Sequence, residues 1–405
     1  MGLAWTSHPT SRDLSNRPLS PQAPIAGEDR AGGAKYYHAN DSDSVTGVER
    51  SVELRTAKLG RTGLEVVRLG CGGIPIIQVE FDDAVAVVRA ALDAGVNYFD
   101  NARAYGDSEE KMGKGLEGRR DDIILATKVL SRDAAGALAD LETSLRNLRT
   151  DHLDLWLLHD VSTSERWEQS MGPGGALEAA RKAQQQGKTR FIGFSSHSPE
   201  YIRRGIASGE FDTVLLTYNI AAAWTEPLMA EAQKQDMGVV VMKPMSGGVF
   251  FRLSAEDEAA LPSITPEETL RFVLTNDNVD VALSGFQRVE EVPQNMAVLD
   301  NLTPLTPEDR ARLLKFGESL GQVYCRGCTY CLPCTVDIDI PSVLAILDHS
   351  ERFSYEWPTH RRKYAELEVK PTECAECGEC EERCPFDVPI MERLKKAADT
   401  FDKPY

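Results

Sequence analysis

The sequence predicts an α/β chain: a (β/α)8 TIM barrel followed by a small cysteine-rich domain. Two observations carry this expectation. From residue 52 onward, short β-branched runs alternate with helical spacings eight times, and eight of the nine cysteines fall into two short runs near the C-terminus. The chain has 405 residues, 42% of them hydrophobic, enough for one large core and a small second one.

Residues 1–51 are a different material, rich in Ser, Pro, Gly, Asp and Arg, with no sustained hydrophobic period. A disordered extension is expected there. Residues 52–320 form the expected barrel and residues 321–405 the iron-sulfur domain. The runs Leu64–Gly70, Tyr98–Asp100, Ile123–Lys128, Leu153–His159, Phe191–Ser195, Val214–Tyr218, Val239–Lys243 and Val281–Ser284 read as buried strands. Helical spacing lies between them, as in Ala84–Ala94, Ala137–Leu148, Ala176–Gln186 and Pro266–Leu274. Strand–helix units repeated in this way close into a parallel barrel with helices outside. Lys58–Val67, with its Arg-Thr-Gly turn, reads as a hairpin feeding the first strand, and Pro307–Leu320 as a helix leading out of the barrel.

The first cysteine run is Cys325, Cys328, Cys331 and Cys334; the second is Cys374, Cys377, Cys380 and Cys384, followed by Pro385. Three cysteines at successive spacings of two residues wrap one face of a 4Fe-4S cubane, and the fourth ligates the other cluster. The expected sets are therefore Cys325, Cys328, Cys331 with Cys384, and Cys374, Cys377, Cys380 with Cys334. Zinc is the competing reading, but zinc sites are generally built from separated cysteine pairs. A disulfide framework belongs to small secreted chains without a sufficient core. Cys71, outside both runs, reads as a buried thiol beside the first barrel strand.

A formal net charge of −18 argues against nucleic-acid binding, which depends on lysine and arginine neutralising phosphate. No apolar run of about 18 residues indicates a membrane span, and no signal-peptide pattern is found. Oxygen-sensitive clusters and free thiolates fit a reducing cytoplasm.

Catalytic groups of such a barrel come from the C-terminal strand ends and the loops after them. Asp100, Tyr105, Lys128 and His159 fall there. A phenol has an ordinary pKa of about 10, and a neighbouring lysine cation is expected to bring it nearer to working pH. An aspartate can hold that lysine and a histidine can orient a substrate oxygen, which makes a proton-donating site for a carbonyl receiving hydride.

The stretch Ala91–Asp100, then Ala102, Tyr105-Gly106 and Ser108-Glu109-Glu110, resembles the aldo/keto reductases, as do Leu59-Gly60-Arg61-Thr62-Gly63-Leu64, Ala126-Thr127-Lys128 and Leu157-Leu158-His159. The likeness spans roughly residues 55 to 300. Cys325 to Cys334, with Arg326-Gly327 and Leu332-Pro333 between its cysteines, is similar to the group of that family carrying a C-terminal ferredoxin-like domain with two 4Fe-4S clusters. The resemblance implies a nicotinamide cofactor and Tyr105 as general acid. It also implies cofactor contacts: Ser195 and Ser196 at the carboxamide, Tyr218 stacking on the nicotinamide, Lys243, Pro244 and Gly247 in a loop over the pyrophosphate, and Ser284, Gly285, Arg288 and Asn295 toward the adenosine end. Ser196 replaces a usual Asn, Leu215 stands where a Gln is often found, Asn101 replaces a common Thr, and Thr335 a usual Pro. The resemblance implies NADP, but Arg288 alone supplies a cation in the last loop, with Glu290 and Glu291 beside it, and a 2'-phosphate ordinarily takes an arginine clamp, so NAD stays as the alternative. Arg103 is open between attracting an anionic substrate and being a solvated loop arginine. His152 and His197 have no evident role.

The expected function is nicotinamide-dependent reduction of an aldehyde, ketone or sugar-type carbonyl, or the reverse alcohol oxidation, on a small-molecule substrate. A redox partner protein is left open, because a cubane accepts one electron at a time and no flavin site is visible. The alternatives are an electron-transfer or redox-sensing protein with a nicotinamide-binding barrel, and an isomerase or dehydratase that recycles bound NAD(P). The insertion Phe250–Ser263 carries no motif that would name a substrate.

Overall fold

The computed structural model describes residues 55–251, 263–319, 325, 331–352, 357–384 and 388–402. The N-terminal extension, most of the 250–263 insertion, Cys328 and Pro385 lie outside the described residues.

A two-stranded antiparallel hairpin, β1 (Thr56–Lys58) and β2 (Glu65–Val67), opens the described chain. Eight parallel strands follow: β3 (Leu69–Gly72), β4 (Tyr98–Asp100), β5 (Ile124–Val129), β6 (Leu153–Leu158), β7 (Thr189–Ser195), β8 (Thr213–Thr217), β9 (Gly238–Met242) and β10 (Val281–Gly285). They form a closed barrel in chain order, and β10 pairs with β3 from Ala282↔Leu69 to Gly285↔Gly72 to complete the circle. The expected first strand, Leu64–Gly70, divides in two. Glu65–Val67 belongs to the hairpin and only Leu69–Gly72 enters the barrel, with Arg68 at the break reaching the carbonyl of Val279 at 2.8 Å. The other strand expectations agree to within a residue or two.

Side chains alternate along each strand between two cores. Tyr98, Ile124, Ala126, Leu155, Leu157, Leu215, Val240, Val281 and Leu283 point inward. Phe99, Leu125, Trp156, Phe194, Val214, Leu216, Val241 and Ala282 face the surrounding helices. Leu59, Leu64 and Val66 of the hairpin join the inward set, so the hairpin plugs the N-terminal end of the barrel. Its turn needs glycine: at Gly60, φ is +43° and a Cβ would stand 2.3 Å from the amide nitrogen of Gly238.

Helices Phe81–Asp93, Ala134–Asn147, Ala176–Gln185 and Pro266–Leu274 fall on or within three residues of the expected spans. The last begins with a capping box, in which the side chains of Thr265 and Glu268 reciprocally satisfy each other's backbone N–H. Helix Pro307–Ser319 leads out of the barrel and packs so closely on it that a Cβ at Gly317 would collide with the carbonyl of Ile220.

The C-terminal part has its own apolar core. Helices Ile340–Arg352, Trp357–Ala365 and Ile390–Phe401 enclose Ile338, Val343, Leu344, Leu347, Val388 and Leu394, with Phe401 stacked between Trp357 and Tyr364. Among the described residues no helix is long and apolar enough to cross a membrane.

Candidate active site and cluster domain

Strand parity builds the polar cluster at the C-terminal mouth. Tyr98 and Asp100, Ile124, Ala126 and Lys128, and Leu155, Leu157 and His159 each continue an inward-facing register, so three of the four expected residues aim into the barrel from adjacent strands. Asp100 and Lys128 are buried, at 3% and 1% exposure. Lys128 Nζ donates to Asp100 Oδ1 at 2.5 Å and to the carbonyl of Asn101 at 2.6 Å. Its remaining interaction is with the Tyr105 hydroxyl, and Nζ lies 4.9 Å from the Tyr105 ring centroid. His159 meets the same ring edge-on, with centroids 5.7 Å apart and planes at 82°. All four expected residues are thus brought together.

Burial dominates the electrostatics. It raises the Asp100 pKa, although Lys128 pulls the other way. For Lys128, burial alone would lower the pKa, but Asp100 and Tyr105 outweigh it and the net shift is upward, so the ammonium keeps its proton. Burial likewise raises Tyr105, and the lowering by Lys128 does not overcome it. The expected drop toward working pH is therefore corrected: part of Tyr105 stays accessible, but its hydroxyl is desolvated beside Lys128, and it remains a protonated donor. Burial, and then the Lys128 cation, push His159 down to about 3, leaving a neutral imidazole throughout the neutral range.

The loop carrying Tyr105 is fastened on both sides. Glu109, fully buried, pairs with Arg103 Nη1 at 3.0 Å and accepts from Thr127 Oγ1 at 2.8 Å, beside the β5 lysine. Lys111 Nζ donates to the carbonyls of Ile76 and Ile77, both at 3.1 Å. Asn101 donates to Ser108 Oγ at 3.0 Å, and Ser108 donates to the Gly73 carbonyl at 2.6 Å. Arg103, whose side chain is 25% exposed, is therefore a half-buried clamp whose charge is neutralised by a buried carboxylate. Glu109 and Thr127 stood inside quoted motifs, yet nothing local in sequence showed that they would meet.

The expected cofactor residues divide by strand parity. Ser195 continues the inward register of β7 and its Oγ accepts from the Asp160 N–H at 2.8 Å, fixing the turn after His159. Ser196 is buried within a hydroxyl cluster with Ser162, 3.2 Å away. Tyr218 follows Val214 and Leu216 on the outward face of β8. It is fully buried, stacks on Phe272, and its hydroxyl bonds Glu226 at 2.5 Å. The structure therefore gives Tyr218 no exposed ring face for a nicotinamide. Thr217, the inward neighbour, reaches the mouth instead and bonds His197 Nδ1 at 3.3 Å. Burial, and then Lys243, push His197 down to about 4.

Lys243, Ser246, Gly247 and Gly248 all have positive φ around buried Pro244, and a Cβ at Gly247 would meet nothing within 4 Å. A backbone so turned and so open lets a phosphate come close to main-chain amides. Ser284 is buried on the outward face of β10 and accepts from Asn295 Nδ2 at 2.9 Å, so these two brace one another. A Cβ at Gly285 would collide with Pro75. Arg288 is exposed, with Nη2 2.9 Å from Glu291 Oε1.

In the C-terminal domain, Cys334 of the first run and Cys374, Cys377 and Cys380 of the second line one pocket, together with Thr335, Ile340, Met391 and Leu394. Arg383 Nη2 donates to the Pro333 carbonyl at 2.8 Å, and Thr335 Oγ1 lies 3.3 Å from Cys377 Sγ, so the two runs are tied beside this pocket. Among the described residues no three His, Cys, Asp or Glu side chains converge on one point as around a single ion; a cubane takes its thiolates at separate corners. Cys325 has its N–H on Asp348 Oδ2 at 3.1 Å, and Asp348 pairs with Arg393 in the domain core. Cys71 is the buried thiol expected, pushed up to about 12 by burial.

A closed parallel barrel with an ionisable cluster at its C-terminal mouth, followed by a domain with cysteines around a pocket, defines a barrel oxidoreductase with an appended iron-sulfur module. Comparison with known proteins agrees. The aldo/keto reductase family model matches residues 68–269 and the 4Fe-4S dicluster domain model matches residues 324–389. L-galactose dehydrogenase of Arabidopsis thaliana is 28% identical over 292 residues, covering 63% of this chain and 90% of that protein. The holo form of an aldo-keto reductase from Bacillus halodurans superposes with a TM-score of 0.57 at 27% identity, covering 65% of this chain and 96% of that one. An aldo-keto reductase from Klebsiella pneumoniae in complex with NADPH gives 0.55 at 26% identity, covering 64% and 94%. The chain belongs to the aldo/keto reductase family of oxidoreductases and carries a C-terminal 4Fe-4S dicluster domain.

Proposed function

We propose that the protein catalyses nicotinamide-dependent reduction of a small aldehyde, ketone or sugar-type carbonyl, or the reverse alcohol oxidation, with Tyr105 as general acid. The observation that carries this reading is Lys128 Nζ held between buried Asp100 and the Tyr105 hydroxyl, with His159 at the edge of the same ring. A bound nicotinamide would supply the hydride. Tyr105 then gives its proton to the developing alkoxide, and Lys128 stabilises the phenolate left behind. His159, neutral at working pH, can donate to the substrate oxygen without adding charge. Asp100 keeps Lys128 in place. NADP is preferred to NAD on the likeness to the NADPH-bound relative; against it, Arg288 already pairs with Glu291. Ser195, Ser196, Lys243, Pro244, Gly247 and Gly285 would line the cofactor, with Ser284 and Asn295 bracing its adenosine end. The relative named L-galactose dehydrogenase is the reason to keep sugars in the substrate class. The C-terminal domain would hold two 4Fe-4S clusters on the eight cysteines, in a reducing compartment such as the cytoplasm.

The test is turnover of a panel of aldehydes, ketones and aldoses by the full chain with NADPH and with NADH. Tyr105→Phe is expected to lower carbonyl reduction at least about a hundredfold while cofactor binding survives. Near-normal turnover by Tyr105→Phe would remove the tyrosine from its role.

A further inference from the structure

Thr335 departs from the proline usual after the first cysteine run, and the reduction of a carbonyl has no use for it. It directly follows Cys334, yet its hydroxyl lies 3.3 Å from Sγ of Cys377 in the other run. Both residues are at the exposed side of the pocket, whereas Cys380 is buried on its inner side. Once Cys377 is a cluster thiolate it carries no proton, so the hydroxyl must be the donor and the sulfur the acceptor.

A hydrogen bond to a cluster sulfur favours the more negatively charged, reduced state, and such bonds are among the levers that set an iron-sulfur potential. We propose that Thr335 is a positioning residue for the cluster held by Cys334, Cys374, Cys377 and Cys380: it donates to Cys377 Sγ and raises that cluster's reduction potential above the value its ligands alone would give. This rests on the reading that these four cysteines hold one 4Fe-4S centre. A proline at this position could offer no such donor, because it lacks both a hydroxyl and an N–H. Thr335 thereby makes this cluster an easier acceptor for a one-electron donor at its solvent-facing corner.

The experiment is an anaerobic redox titration of the full chain, following the reduced-cluster paramagnetic resonance signals. Cys377→Ser alters the signal of the cluster it ligates and so identifies which one is being read. Thr335→Val, which removes the hydroxyl and keeps the shape, is expected to lower that cluster's midpoint alone. The expected shift is about tenfold in the oxidised-to-reduced ratio at a given potential, or about 59 mV for one electron. Thr335→Ser should restore the original midpoint. An unshifted midpoint in Thr335→Val with its iron content intact would overturn the proposal, as would an equal shift in Thr335→Ser. Loss of half the iron in Thr335→Val would also overturn it, because the hydroxyl would then retain the cluster and not tune it. Wild-type protein without iron and sulfide would overturn the cluster reading itself, a result distinguishable from the others before any variant is made.

Discussion

Lys128→Met tests the arrangement at its centre, since it removes the cation that pairs with Asp100. The pair is 2.5 Å apart and both side chains are all but inaccessible. At that separation their attraction is on the order of 7 kcal/mol for an effective dielectric of about 20, against a desolvation cost of several kcal/mol per ion. Asp100 Oδ2 has no hydrogen-bond partner, so without the lysine the carboxylate is left with nothing to compensate its burial. Removing one member of a buried pair costs about 3–5 kcal/mol, which for a chain of this size lowers the melting temperature by roughly 4–6 °C. The pH dependence has a definite sign. Burial already raises the folded-state pKa of Asp100 above its ordinary 3.8. A proton held more tightly in the folded state stabilises in acid, and that contribution is lost as pH rises. The deficit of Lys128→Met is therefore largest at neutral pH and narrows on acidification, as Asp100 takes up a proton. Asp100→Asn combined with Lys128→Met removes both charges and is expected to recover more than half of the lost stability while remaining inactive. Calorimetry of the three proteins across pH decides the matter. A single variant melting with the wild type at neutral pH, or a double variant no more stable than the single, would mean that Asp100 is not a carboxylate held by Lys128.

Much of this was legible because it depends on period. A strand shows each face every second residue, so Tyr98 and Asp100, or Ala126 and Lys128, announce the same face of the barrel before any coordinates exist. The same parity places Tyr218 with Val214 and Leu216, on the helix side. Resemblance implies a place at the cofactor, whereas in the structure its ring is buried against Phe272. The first strand could not be divided from sequence, because Leu64–Gly70 is one apolar stretch and the break at Arg68 is set by a carbonyl more than two hundred residues away. Short helices such as Ser108–Gly115 and Ser164–Met171 carry too few turns for a clear period. Glu109 illustrates a further limit. Its burial against Arg103 and Thr127 depends on how the helix Ser108–Gly115 meets β5 and the loop before it, and no local signal separates it from the exposed Glu110 beside it. The phenol's pKa was read in the wrong direction because a sequence names the neighbouring cation but not the amount of water excluded.

Stability should also respond to Asp280, whose carboxyl burial pushes up to about 6 while it accepts from the Val239 N–H at 2.8 Å. A folded pKa above the ordinary 3.8 stabilises in acid and fades as pH rises through about 6, so the gap between the wild type and Asp280→Asn should shift in favour of the variant over that interval; a constant gap would refute it. Metal analysis of anaerobically purified protein should return about eight irons and eight sulfides per chain, as two 4Fe-4S clusters require, and two zinc ions without sulfide would refute the clusters. Cys384→Ala should damage the centre built on Cys325 and spare the one whose pocket is lined by Cys334, Cys374, Cys377 and Cys380; loss of the latter instead would refute cross-ligation. The last prediction concerns electrons. Hydride moves as a pair, whereas each cubane accepts one electron at a time, and the ionisable and hydroxyl side chains described at the barrel mouth do not split an electron pair. NADPH or NADH added anaerobically should therefore leave the clusters oxidised, although dithionite reduces them. Cluster-free protein should lose order in the C-terminal domain while the barrel, which has a separate apolar core, keeps its helical signal and most of its stability. Rapid appearance of a reduced-cluster signal with nicotinamide alone would show that the two chemistries are electronically connected. The separation of hydride transfer from one-electron transfer would then fail, and the exposed corner at Cys377 would become the place to look for where the second electron goes.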